Sequence, residues 1–210
     1  MRLFSQKNRN IPTLSGSGLL LRAPIPEDYP AWRALREQSA GFLIPWEPRW
    51  PSDDLTRGGY RRRLERYDRE ATAMTALTWF VLSRDESTIY GGITLSNIRH
   101  GAAHSGQIGY WMGAPHAGKG IMGKAVRLVL AEAFGTLGLE RIEAACLPQN
   151  ERSARLLEKA GFGREGYLRA YLEINGERRD HVLYAILRND FAAISRQASQ
   201  PGLNVAGIGH

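Results

Sequence analysis

The spacing of apolar residues divides this chain into helical and extended stretches. Residues 1–15 are mostly polar and read as a lead-in. Leu19, Leu20 and Leu21 make a short strand closed by Pro24 and Pro26. Glu27 and Asp28 then occupy the first turn of a helix that carries Trp32 and Leu35 toward a core and ends near Gly41. Residues 42–51 break the periodicity with Pro45, Trp46, Pro48 and Trp50, an irregular loop rich in aromatics. Ser52, Asp53 and Asp54 predict the start of a second helix running through Arg61, Arg62, Arg63, Arg66 and Arg69. Glu65, Asp68 and Glu70 are interleaved with these arginines. That is the pattern of a solvated face laced with ion pairs, and a polyanion-binding stripe is the competing reading.

From Leu77 the period shortens. Residues 78–83 and 89–98 are β-branched and apolar, with Arg84, Asp85 and Glu86 turning between them. Gly91-Gly92 inside the second run marks a bulge or a close backbone approach. A further strand covers 107–112 and stops at Gly113 and Pro115; after a glycine-rich loop, Val126, Leu130, Ala133 and Phe134 recur at helical spacing. A strand over 141–147 is broken by Pro148, and Glu151 opens a helix that Gly161 caps. Strands 167–174 and 178–187 meet at Asn175-Gly176, a strong hairpin signal. Residues 1–192 therefore read as one domain, and 193–210 as a disordered tail.

Strand, glycine loop and helix N-terminus, in that order, favour a bound anion. Gly118, Gly120 and Gly123 carry no Cβ, so a ligand can approach the backbone, and the free N–H groups of a first helical turn point outward. Lys119 and Lys124 add positive charge. The loop is neither a Walker box nor a dinucleotide fingerprint. A glycine turn that only lets a helix pack close to a strand is the alternative.

Composition narrows the class. With 43% hydrophobic and 23% charged residues, the chain reads as soluble and globular. It has no apolar run near the roughly 20 residues of a membrane helix. The polar N-terminus lacks a secretory core, and the single Cys146 cannot form an internal disulfide, so a cytoplasmic protein is expected. A net charge of +7 favours polyanionic neighbours such as nucleic acid, ribosomes or a phosphorylated cofactor. No His, Cys and carboxylate group has metal-site spacing.

Several segments, taken in order, are specific. They are Gly109-Tyr-Trp, the run from Gly118 to Ala125, Asn150-x-x-Ser153 leading to Gly161-Phe162, Glu165-Gly-Tyr167 and Arg179-Asp-His-Val182. Together they resemble the GNAT superfamily of acyl-CoA-dependent N-acetyltransferases, and most closely its ribosomal-protein-alanine N-terminal acetyltransferase branch. The resemblance implies an α+β fold with a mixed, mostly antiparallel sheet of about seven strands and four flanking helices. Its two central strands, 107–112 and 141–147, would splay apart to hold acetyl-CoA. Backbone at Tyr110, Trp111 and Met112 would pair with pantetheine, and the amides of Gly118, Lys119, Gly120, Ile121, Met122, Gly123 and Lys124 would receive the pyrophosphate. Asn150 would bond pantetheine or simply cap its helix. Ser153 would lie near the thioester sulfur, and Ser153 or Tyr171 would protonate the departing thiolate. Trp46, Trp50, Gln107 and His181 fall where the family binds its acceptor. The expected partners are acetyl-CoA and a protein N-terminus or small amine, with possible ribosome association, no membrane, no metal, and a monomeric or homodimeric state.

Two departures from the family pattern stand out. Ala117 and Met122 replace side chains usual in the loop, and Gln107 stands where some relatives carry a glutamate general base. A glutamine cannot accept a proton. An α-amino group, with a pKa of about 7.8 against about 10.4 for lysine, is several-hundred-fold richer in its neutral form at pH 7. Gln107 therefore favours acetylation of an N-terminal amine. Acetylation of a small amine, or a non-catalytic acyl-CoA sensor, are the alternatives.

Overall fold

Eight strands form one sheet in the computed structural model, which describes residues 11–199. In chain order they are β1 (Leu14–Gly16), β2 (Leu19–Arg22), β3 (Leu77–Ser83), β4 (Ile89–Arg99), β5 (Ser105–Met112), β6 (Arg141–Cys146), β7 (Gly163–Ile174) and β8 (Glu177–Leu187). Their spatial order is β1-β2-β3-β4-β5-β6-β8-β7. Every pairing is antiparallel except β5 with β6. The helices are α1 (Tyr29–Gln38), α2 (Ala40–Leu43), α3 (Arg57–Thr72), α4 (Ile121–Phe134), α5 (Glu151–Ala160) and α6 (Arg188–Ser199).

Alternation along the strands sends apolar side chains to both faces of the sheet. Trp79, Val81, Ile93, Leu95 and Ile142 meet Val126, Val129 and Leu130 of α4 and Leu157 of α5 in one cluster. Phe80 and Leu82 meet Trp32 and Leu35 of α1 and Tyr60 of α3 in another. The sheet is thus sandwiched, with α4 and α5 on one face and α1 and α3 on the other.

The structure departs from the sequence expectation in several places. The lead-in contains β1, giving eight strands rather than about seven; its three residues pair with β2. Six helices replace the expected four because Gly41 lies inside the single turn of α2 and because α6 follows β8 directly. The tail boundary expected at 193 falls inside α6, while residues 200–210 lie outside the described residues. α3 starts at Arg57, not at Ser52. Its N-cap is Thr56, whose Oγ1 accepts from Gly59 N–H at 3.0 Å. Asp53 and Asp54 instead pair with Arg62 and Arg63 from the preceding turn. With Arg61 on Glu65 and Arg66 on Glu70, the ion-pair reading of this helix holds.

Gly91-Gly92 satisfies both readings. The β3–β4 register shifts beside it, and a Cβ on Gly91 would lie 2.3 Å from the Trp111 carbonyl oxygen. This close approach seats β4 on β5, the strand that borders the site.

Candidate active site

Among the described residues, the one parallel seam in the sheet is short. β5 and β6 pair at three positions, Ser105 with Arg141, Gly106 with Ile142 and Gln107 with Glu143, and then part. Beyond that point β5 stays on β4 as far as Met112, and β6 stays on β8 as far as Cys146. Gly113 N–H donates to the Tyr90 carbonyl at 2.9 Å, which fixes the direction of the β5 backbone groups. With a period of two, the amides and carbonyls of Ile108, Tyr110 and Met112 face the opening. An open strand edge between two splayed strands is a ready template for an extended ligand.

The glycine loop lies at the end of that edge. Gly118 and Gly120 adopt φ of +77° and +72°, and Gly120 is the N-cap of α4 with no side-chain capping bond. A Cβ on Gly118, Gly120 or Gly123 would meet no atom within 4 Å, so the bend opens onto free space. The N–H groups of Ile121, Met122 and Gly123 have no partner within their own helix. Lys124 N–H, expected to join them, donates to the Gly120 carbonyl at 3.3 Å. The Met122 side chain is buried in the core, leaving its amide for a ligand. Lys119 and Lys124 are exposed beside the bend. Burial, followed by the charge of Lys119, holds His116 below the usual histidine range. The residues present therefore fit a pyrophosphate at this helix end.

The candidate side chains reach the opening from opposite faces of the sheet. On the α4 and α5 face, the Tyr110 and Ser153 hydroxyls hydrogen-bond at 2.8 Å, linking β5 to α5. Asn150 caps α5 by accepting from Ser153 N–H at 3.1 Å, which leaves its side-chain N–H groups for a ligand. Burial raises the Tyr110 phenol, with the Ser153 bond opposing it, and burial also raises the Cys146 thiol at the end of β6.

On the α1 and α3 face, Gln107 Nε2 donates to Tyr171 Oη at 3.2 Å, and the Tyr171 ring contacts His181 at 5.6 Å. His181 is buried, and its Nδ1 lies 3.0 Å from the Arg179 carbonyl. A cavity of about 390 Å³ opens on the same face, lined by Arg36, Arg66, Tyr67, Thr94, Gly109 and Trp111 among others, with Gln107, Tyr171 and His181 outside its lining. Trp50 and Trp46 stand outside that lining. Trp50 holds Glu47 through its indole N–H at 2.7 Å and stacks on the Arg36 guanidinium at 4.1 Å, while Trp46 ends a short 3₁₀ turn and is half exposed.

Residues 18–163 match the family model described as an acetyltransferase (GNAT) domain. The chain belongs to the GNAT acetyltransferase family. Probable N-acetyltransferase YjcK of Bacillus subtilis is 36% identical over 156 residues, covering 74% of this chain and 86% of that protein. The [ribosomal protein uS5]-alanine N-acetyltransferase of Escherichia coli is 32% identical over 184 residues, covering 87% and 95%. Among solved structures, Mycobacterium smegmatis RimJ in complex with CoA-disulfide aligns with a TM-score of 0.78 at 30% identity, covering 89% of this chain and 94% of that one.

The helix end that fits a pyrophosphate belongs to the α4 side of the sheet. Ser153 and Tyr110 share that side, where Ser153 is expected to assist the leaving thiolate, while Tyr171 and Gln107 lie on the opposite one. A thiol pKa of about 8.5 lies some 1.5 units above pH 7, so assisting that departure is worth at most about 2 kcal/mol, or 30-fold. Ser153→Ala is accordingly expected to lower kcat by no more than about 30-fold with the KM for acceptor unchanged, as steady-state kinetics would show. One residue escaped the sequence reading. Glu143 places a carboxylate against Gln107, and only the β5–β6 register brings the two together.

Proposed function

We propose that this enzyme transfers the acetyl group of acetyl-CoA to the α-amino group of a protein N-terminus, with a ribosomal protein as acceptor. The parting of β5 and β6 after Gln107 and Glu143, beside a helix end with free amides, is the observation that carries the reading. The amides of the Gly118–Gly123 bend bind pyrophosphate. Tyr110 and Met112 offer main-chain groups to pantetheine, helped by the Asn150 carboxamide. Met112 N–H polarises the thioester oxygen as charge develops on it. Holding amine and thioester in line supplies much of the remaining rate.

Support for the acceptor comes from four sides. Gln107 provides no carboxylate of its own, which suits an amine that loses its proton readily. The cavity on the α1 and α3 face has room for the first residues of a chain, and Gly109 in its wall leaves the approach to β5 open. The relative named as a uS5-alanine N-acetyltransferase spans nearly its full length in this chain. Basic charge also suits a ribosomal setting.

The test is a panel of peptides and small amines, read by thiol release. At pH 7 an N-terminal alanine peptide should exceed an N-blocked lysine peptide in kcat/KM by about 300-fold, because the α-ammonium is the stronger acid by about 2.6 pKa units and gives up its proton more readily at the site. A lysine peptide or a polyamine turned over better would reject the α-amine reading.

A further inference from the structure

We propose that Glu143 accepts the proton which the acceptor amine must lose. The inference rests on amine acetylation and does not depend on which amine is used. Glu143 occupies the last rung before β5 and β6 part, directly opposite Gln107. The Gln107 carboxamide is oriented by Asn97, whose Nδ2 donates to Gln107 Oε1 at 2.6 Å. Its Nε2 therefore faces two acceptors, Tyr171 Oη at 3.2 Å and Glu143 Oε2 at 3.4 Å. The longer of these contacts leaves Oε2 with lone pairs for a water or an ammonium. The Glu143 side chain is 18% exposed, so solvent reaches it. Gln107 itself has no basic atom.

Other charged and titratable groups around Glu143 play different parts. Arg141 Nε on the same strand donates to Glu143 Oε1 at 2.9 Å, and its Nη groups grip Glu165 of β7. Tyr171 of β7 accepts from Gln107, so its own O–H proton is directed elsewhere. His181 of β8 lies behind Tyr171, with Nδ1–H donating to the Arg179 carbonyl. Glu143 is the carboxylate in direct contact with the Gln107 carboxamide.

The proton balance is simple. Glu143 takes one proton from the ammonium, directly or through one water, and later yields it to solvent. The amine lone pair forms the C–N bond as the C–S bond breaks. The second proton lost by nitrogen goes to the thiolate by way of the hydroxyls on the opening.

The test is the pH profile of kcat/KM for the best peptide acceptor in wild type and in Glu143→Gln. Wild type should be nearly flat from pH 6 to 7.5. The variant should fall about a hundredfold at pH 6. It should then gain about tenfold per pH unit toward the amine pKa near 7.8 and come within a few-fold of wild type at pH 9. A purely structural role would not recover in that way. A uniform deficit across pH, or no deficit, overturns the proposal. Glu143→Asp decides the matter if the glutamine variant melts early: it should keep the flat profile at lower amplitude, and a steep profile would count against Glu143. If the panel's best acceptor is a lysine side chain, the α-amine reading falls, and the Glu143 profile is then read with that lysine peptide.

Discussion

Gly120→Val should raise the Kd for coenzyme A at least about a hundredfold while leaving the enzyme folded. Gly120 holds φ of +72° at the N-cap of α4, and a β-branched residue pays about 1–2 kcal/mol for that left-handed conformation. Relief of the strain turns the neighbouring amides away from the phosphates. The valine side chain would also project into the empty space that the bend encloses, where a Cβ now meets nothing within 4 Å. A hydrogen bond to a charged group contributes about 1.5–3 kcal/mol, so two misaligned amides account for a hundredfold or more. Isothermal titration with coenzyme A measures the loss, and a thermal melt shows that the fold survives. Unchanged affinity would mean that the bend does not hold the phosphates.

Trp79→Ala should destabilise the protein by about 3–5 kcal/mol, enough to lower Tm on the order of 10 °C. Trp79 is fully buried in the centre of β3, packed in the cluster beneath α4. Its indole N–H also donates to the Pro12 carbonyl at 2.7 Å, tying the segment before β1 to the sheet. The alanine variant leaves both a cavity and a carbonyl without its partner. Equilibrium denaturation reads the difference, and a cost below about 1 kcal/mol would show that the segment carries no load there.

What could be read from the residues follows their physics. The glycine bend, the Asn150 cap and the Asn175-Gly176 hairpin are local events, each set by a few neighbouring residues, and all three stand where the chain predicts them. The start of α3 misleads because Ser52, Asp53 and Asp54 look like a helix cap. The turn that contains them folds back over the first helical residues instead, close enough that a Cβ on Gly59 would lie 2.2 Å from the Asp53 carbonyl oxygen. β1 escapes because three residues, one of them glycine, carry no period, and only pairing with β2 defines them. Glu143 escapes for a related reason. On its strand it is one polar residue in an alternating series, and its meeting with Gln107 depends on a parallel register 36 residues away in sequence.

That same register makes the sheet two panels joined by three rungs, β1 to β5 on one side and β6 to β8 on the other. On the proposed reading, a thioester lying along the open edge of β5 would supply the rungs that the chain omits. The donor would then work as a temporary ninth strand, and its binding would add to the stability of the fold until the spent carrier departs.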